Sequence, residues 1–254
     1  MNKFPPMLPE DLPEWSGIGE YLGAVKSNLD GPMPVFINAA DKAMGIFIRN
    51  LSSPGKLRAV GLINYAYSNW RSAVVLAQAG CVHQLPLVLR PSLEALTYAH
   101  LFANSAEWQT CWENRHKTKA AEQKFRKHGP KAARDLLKKS NIKLAEEIAS
   151  LTEHFVDFGG HPNIGAIEHL SSYYVNPTDS ESAFVVFDQL AGEDKRYQAN
   201  IWILQFSGII LTLLKMMWPE RYMLLRIEDM DKAYRQLGVE FIRANQFKRK
   251  TKQQ

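Results

Sequence analysis

The chain has 254 residues, 46% of them hydrophobic and 22% charged, with a formal net charge of +5. That balance belongs to a soluble globular protein with one sizeable core, and it excludes a disordered or collagen-like chain. Cys81 and Cys111 lie 30 positions apart without Cys-x-x-Cys spacing. This excludes a disulfide framework and a structural zinc knuckle, and predicts reduced thiols in the cytoplasm.

The opening MNKFPPMLPEDLPEW carries four prolines and three acids and lacks the basic and apolar regions of a secretory signal. Residues 1–31 therefore read as an extended arm. Pro32 and Pro34 stand where a helix can start, and Phe36, Ala40, Ala43, Phe47 and Ile48 recur with helical spacing as far as Leu51, where SSPGK breaks it. A second helix is predicted over Leu57–Ala79, with Ala59, Leu62, Ile63, Ala66, Trp70, Ala73, Val74 and Ala77 on its apolar face and Gly80 as its stop.

A third helix, 82–103, is apolar on most sides and is interrupted at Pro86 and Pro91, which predicts a kink or a first-turn proline followed by a local irregularity. Residues 106–139 continue a helical but polar pattern with a break near Gly129 and Pro130. An amphipathic helix follows over Ile142–Phe158 and ends at Gly159 and Gly160. SSYYVNPTDSESAFVVFDQ holds two β-prone runs around a turn, so residues 172–188 form a small hairpin or an irregular excursion. Helices over Asp194–Met217 and Ile227–Asn245 close the chain. Within the first of these, Ile201–Trp218 has about the minimum length of a membrane span, yet it contains Gln205 and Lys215 and stops at Pro219, so it reads as a buried core helix. The expected architecture is all-α: an antiparallel bundle of six or seven helices forming one domain over 32–245, followed by a basic disordered tail, 246–254.

Charge is unevenly spread. Eleven Lys or Arg residues against Glu122 and Asp135 between Arg115 and Lys143 leave a local excess of nine positive charges, and Lys248, Arg249, Lys250 and Lys252 make the end of the chain basic as well. Two basic zones on an acidic body are what an anionic partner such as RNA demands, and also what a solvated helical hairpin presents. The candidate contacts are Lys117, Lys119, Lys124, Arg126, Lys127 and Lys131. Phe125 is the only aromatic residue between Arg115 and Lys143, so no stacking platform is interleaved with them.

A polar stripe, His83, Arg90, Glu94 and Thr97, falls on one face of the third helix among apolar neighbours. Charges on a helix built for burial need partners, so Arg90 and Glu94 are expected to pair, either fixing helix register or building a site. In TEHFVDFGGHPN, His154 and Asp157 stand three apart and His161 follows the double glycine. Histidines there suit acid, base or metal-ligand roles, but the loop breaks the register a metal site would need, so capping by a loop histidine is the simpler expectation. Gly-x-Gly-x-x-Gly, Walker, His-Glu-x-x-His and Gly-x-Ser-x-Gly motifs are absent from the sequence, and no metal or cofactor is predicted.

The run SNWRSAVVLAQAGCVHQLPLVLRPSLEALTYAHLF, then a basic helical segment, then DFGGHPN, resembles a family of uncharacterised bacterial helical proteins. In that family an Ala-rich helix leads into Arg-[SP]-x-x-Glu and a later helix ends at a histidine before Pro or a small residue. The resemblance covers Tyr65–Asn163 and implies importance for Arg90, Glu94 and His161; Pro91 stands where serine is more usual. The group is similar in build to the HEPN superfamily, which includes RNA-cleaving toxins and phage-defence components. Its ribonucleases use Arg-x(4-6)-His, and no arginine here has a histidine five to seven positions downstream. The resemblance therefore implies a centre of Arg90, Glu94, Asp157 and His161, with Arg90 stabilising a phosphate and His161 moving a proton. RNA or another polyanion is the expected partner. The alternative is a non-catalytic, homodimeric interaction module in which those residues only fix packing. No membrane association is expected.

Overall fold

A computed structural model describes residues 18–51, 56–160, 171–175, 183–187 and 190–252. The helices are α1 (Ile18–Leu29), α2 (Val35–Arg49), α3 (Leu57–Ala79), α4 (Leu85–Asn104), α5 (Ala106–Glu113), α6 (Lys119–Ser140) and α7 (Ile142–Phe155), then α8 (Glu193–Met217), α9 (Pro219–Leu224) and α10 (Ile227–Lys252). A 3-10 turn, Val82–Gln84, precedes α4, and a π-helical turn, Val156–Gly160, follows α7. Strands β1 (Ser171–Val175) and β2 (Ala183–Phe187) pair antiparallel, with Tyr173 opposite Val185. The protein is an all-α helical bundle with this one two-stranded ribbon among the described residues.

The core follows the apolar periodicity. Phe36, Ala40, Ala43 and Phe47 of α2 and Ile63, Ala66, Trp70, Ala73 and Ala77 of α3 are all buried. They pack with Leu85, Leu89, Leu93 and Leu96 of α4 and with the long apolar face of α8. Each fully buried leucine, isoleucine or phenylalanine among them contributes about 1.5–3 kcal/mol. Trp70 brings a polar edge into this interior, and its indole Nε1–H donates to the hydroxyl of Ser207 on α8 at 2.9 Å. Ser207 in turn donates to the Ile203 carbonyl at 2.7 Å, so the buried pair is satisfied. A second cluster, Leu101, Phe102, Cys111, Phe125 and Ala133, joins α4, α5 and α6.

Among the described residues one helix, α8, is long and apolar enough to cross a membrane, but 61% of its most apolar window is buried inside the protein. It is packed as the core helix of a soluble protein is packed.

Several boundaries depart from the sequence reading. Residues Ile18–Leu29, assigned to an extended arm, are helical. Asn28 of that helix fastens it, donating to the Ala79 carbonyl at 2.9 Å and accepting from Arg196 at 3.0 Å. There α3 ends at Gly80, whose φ of 90° lies in the left-handed region that glycine adopts without strain. The predicted break at Gly129 and Pro130 does not occur, and α6 runs through both. A Cβ on Gly129 would lie 2.9 Å from two ring carbons of Phe125, so glycine is there to let that ring fold across the helix. The basic end of the chain, expected to be disordered, continues α10 as far as Lys252. Pro86 sits in the first turn of α4 and Pro91 lies inside it.

Candidate functional site

The polar stripe of α4 divides. His83 belongs to the 3-10 turn rather than to α4. Thr97 turns inward, is 7% exposed and donates to the Leu93 carbonyl at 2.7 Å. Arg90 and Glu94 point outward, with side chains 35% and 54% exposed and Arg90 Nε 4.0 Å from Glu94 Oε1. Of the two alternatives for this pair, a buried ion pair fixing helix register is not the one the fold builds. Residues i and i+4 share a helix face, but on α4 that face meets solvent and the apolar ones meet α3 and α8. Arg90 and Glu94 border a shallow depression of about 270 Å³ with Pro86, Leu87 and Pro91.

Asp157 is exposed in the π-helical turn, which packs against α4 and the 3-10 turn. The fold thus brings the end of the α7 segment to the helix that carries Arg90 and Glu94. His161, the fourth member of the expected centre, lies outside the described residues. His154 is half-buried, its ring 4.3 Å from that of Phe158 and 5.0 Å from that of Trp202. Burial pushes its imidazole below the usual histidine range, against the opposing charge of Asp157. Its Nε2 is buried with no hydrogen-bond partner among the described residues. The His154 ring is thus packed among aromatics. No cluster of three metal-ligating side chains occurs among the described residues.

The basic segment is α5, a short connection and α6. Thr118 caps α6, accepting from the Ala121 amide, and Phe125, Gly129, Ala133 and Leu137 face the protein. Every fourth position on one side is thereby buried, which leaves the cations outside. The six candidates do not share one face. Lys124, Lys127 and Lys131, spaced three and four apart, form a row that Arg134 and Lys138 continue, whereas Lys119 and Arg126 lie about a third of a turn away. From Lys124 to Lys138 the row covers fourteen helical rises, about 21 Å. Lys124 is tied to Glu107 at 2.7 Å. Lys117, Lys119, Arg126, Lys127 and Lys131 are exposed and make no ion pair among the described residues.

Two residues that the sequence reading missed stand beside this helix. Trp108 and Trp112, one turn apart on α5, are half-buried against it. Arg115 lies over the Trp112 ring at 4.5 Å and Lys124 Nζ is 5.6 Å from the Trp108 centroid. Their i, i+4 spacing just upstream of the basic run was the available signal.

Between α4, α6 and α7 lies a larger cleft of about 550 Å³. Leu93, Ala133, Leu137 and Ile148 make its buried floor. Its rim carries Arg134 and Lys138 from α6, and Glu94, Glu146 and Glu153 from α4 and α7.

Compared with known proteins, the chain matches no protein-family profile, no curated protein and no solved structure.

Proposed function

We propose that this protein binds RNA by its phosphate backbone, along the outer face of α6. The observation that carries this reading is the row begun by Lys124, Lys127 and Lys131, of which Lys127 and Lys131 are exposed without an ion-pair partner among the described residues. Like charges one helical turn apart repel by about 0.2–0.5 kcal/mol per pair, and phosphates laid along the row relieve that repulsion while releasing counterions. Lys117 and Lys119 extend the positive surface around the start of the helix. Trp108 and Trp112 stand half-buried beside the row, with Lys124 and Arg115 over their rings adding cations to the same surface.

A second reading, RNA cleavage by Arg90, Glu94, Asp157 and His161, is favoured by one observation: the Arg90 side chain is partly exposed, at 35%, rather than sealed in the core. In that role Arg90 stabilises a phosphate and His161 moves a proton, within a bacterial toxin or defence system of the HEPN kind. Without cleavage the protein is a binding module, and assembly as a homodimer would double the basic surface.

Both readings meet in one experiment, which measures anisotropy of a labelled single-stranded RNA, with product analysis on gels, for the wild type and variants of checked thermal stability. Binding by the wild type, weakened at least about tenfold in Lys127→Glu/Lys131→Glu, is expected from the loss and reversal of two phosphate contacts. Equal affinity in the two proteins refutes RNA binding through α6. Cleavage abolished in Arg90→Ala and in His161→Ala, with binding retained, establishes the catalytic reading; an inert wild type leaves binding alone.

A further inference from the structure

The cleft between α4, α6 and α7 sets the Arg134 and Lys138 end of the basic row beside acids that RNA binding does not use. Its volume of about 550 Å³ lies within the roughly 300–1,000 Å³ of small-ligand pockets. The floor is apolar, and the two threonines that line it have spent their protons locally: Thr97 donates to the Leu93 carbonyl and Thr152 to the Ile148 carbonyl, each at 2.7 Å. What remains for a ligand is the Tyr98 hydroxyl and the charges at the rim. The α6 side offers Arg134 and Lys138, beside a single acid, Asp135, while α4 offers Glu94 and α7 offers Glu146 and Glu153.

These charges do not satisfy one another. Among the described residues, Arg134, Lys138, Glu146 and Glu153 form no ion pair, and Glu94 reaches only Arg90, at 4.0 Å. The cations thus stand on α6 and most of the acids on α4 and α7, around an apolar floor, with no ion pair joining the two sets among the described residues. A polyanion would meet more carboxylates than cations there, and a plain hydrocarbon would leave both walls unused. The matching ligand has an apolar body, an ammonium at one end and a carboxylate at the other.

Its length follows from the fold. Packed helices stand about 8–10 Å apart. An extended chain spans about 3.3–3.6 Å per residue, so two or three residues bridge the walls while a single amino acid, with both charges on one carbon, does not. We infer that this cleft binds short apolar peptides through their free termini, the amino end at Glu146 and Glu153 and the carboxylate at Arg134 and Lys138. Apolar side chains would then cover Leu93, Ala133 and Ile148, and a carboxylate held by arginine gains the charge-assisted geometry that favours it.

The test is titration calorimetry on the full chain with a panel of tripeptides of Leu, Val and Phe, each free, N-acetylated or C-amidated. Free peptides are expected to bind saturably, and either cap to weaken them at least about fivefold, the scale of one lost charged contact. Acetylation is expected to cost nothing further in Glu146→Gln/Glu153→Gln, and amidation nothing further in Arg134→Gln/Lys138→Gln. Ala149→Trp, at an exposed position on the cleft wall, is expected to fill the trough and abolish binding while leaving the melting temperature and the affinity of Lys127 and Lys131 for RNA in place. No saturable binding at millimolar peptide overturns the proposal. So does indifference to both caps, or stronger binding of phenethylamine, which carries the ammonium alone.

Discussion

Replacing Arg90 by alanine is expected to leave the fold nearly as stable as before, and the reason can be worked from the geometry of the pair. Arg90 Nε stands 4.0 Å from Glu94 Oε1, beyond hydrogen-bond range, with the two side chains 35% and 54% exposed. Exposed pairs four residues apart on a helix contribute about 0.3–0.5 kcal/mol, and less when, as here, the cation is N-terminal to the acid. Alanine returns about 0.2 kcal/mol of helix propensity, while the half-buried arginine stem loses a comparable amount of packing. The net change is within about 0.5 kcal/mol, equivalent to about 1–2 °C in melting temperature for a chain of this size. Paired thermal and urea unfolding of wild type and Arg90→Ala measures it directly. A loss of about 3 kcal/mol or more, the cost of stripping the partner from a buried ion, would refute the surface placement and make the pair a core element.

Ser207→Ala should be costlier although the change is smaller: it leaves the Trp70 N–H buried without its acceptor, a loss of about 1–3 kcal/mol readable from the urea midpoint. Gly129→Val is expected to cost about 1–3 kcal/mol by overpacking, since even its Cβ would sit 2.9 Å from the Phe125 ring, and a neutral or stabilising result would mean the ring moves freely. Burial, with the charge of Lys56 second, holds the His100 imidazole below the ordinary histidine range, so between its folded and unfolded values the unfolded chain binds more protons. Stability from His100 is therefore full above the unfolded value of about 6.5 and lost as pH falls toward the folded one. The urea midpoint should drop between pH 7.5 and 5.5, and less steeply in His100→Gln; identical pH slopes in the two proteins would contradict the assignment.

Helix positions were legible because burial repeats with the helical period: Ala59, Ile63, Ala66, Trp70, Ala73 and Ala77 specify both the length and the inner face of α3, and Gly80 its end. What misled were residues whose role depends on a distant neighbour. Gly129 and Pro130 carry the local signal of a break, yet the ring of Phe125 needs the glycine and the helix continues. Arg90 and Glu94 fall among apolar residues in sequence, and periodicity places them on one face without saying which face meets solvent. Tyr21 and Asn28 give α1 its attachment to Cys81 and Ala79, more than fifty residues away, so a weakly apolar segment that propensity leaves open becomes a helix through tertiary contacts. The basic segment was legible as charge but not as surface, since the split between the Lys127 row and the Arg126 side emerges only once α6 is known to be continuous. The α4–α6–α7 cleft has no sequence signal at all, because it is made by three helices whose lining residues are ordinary in each.

The salt dependence of RNA affinity tests the central claim most directly. Single-stranded nucleic acid loses about 0.7 in the logarithm of its binding constant per phosphate contact for each tenfold rise in salt. If the backbone lies along α6, Lys127→Glu/Lys131→Glu should make that slope shallower by about 1.4, the contribution of two contacts. An unchanged slope, with wild type and variant falling in parallel as salt rises, would place the nucleic acid elsewhere or nowhere on this protein.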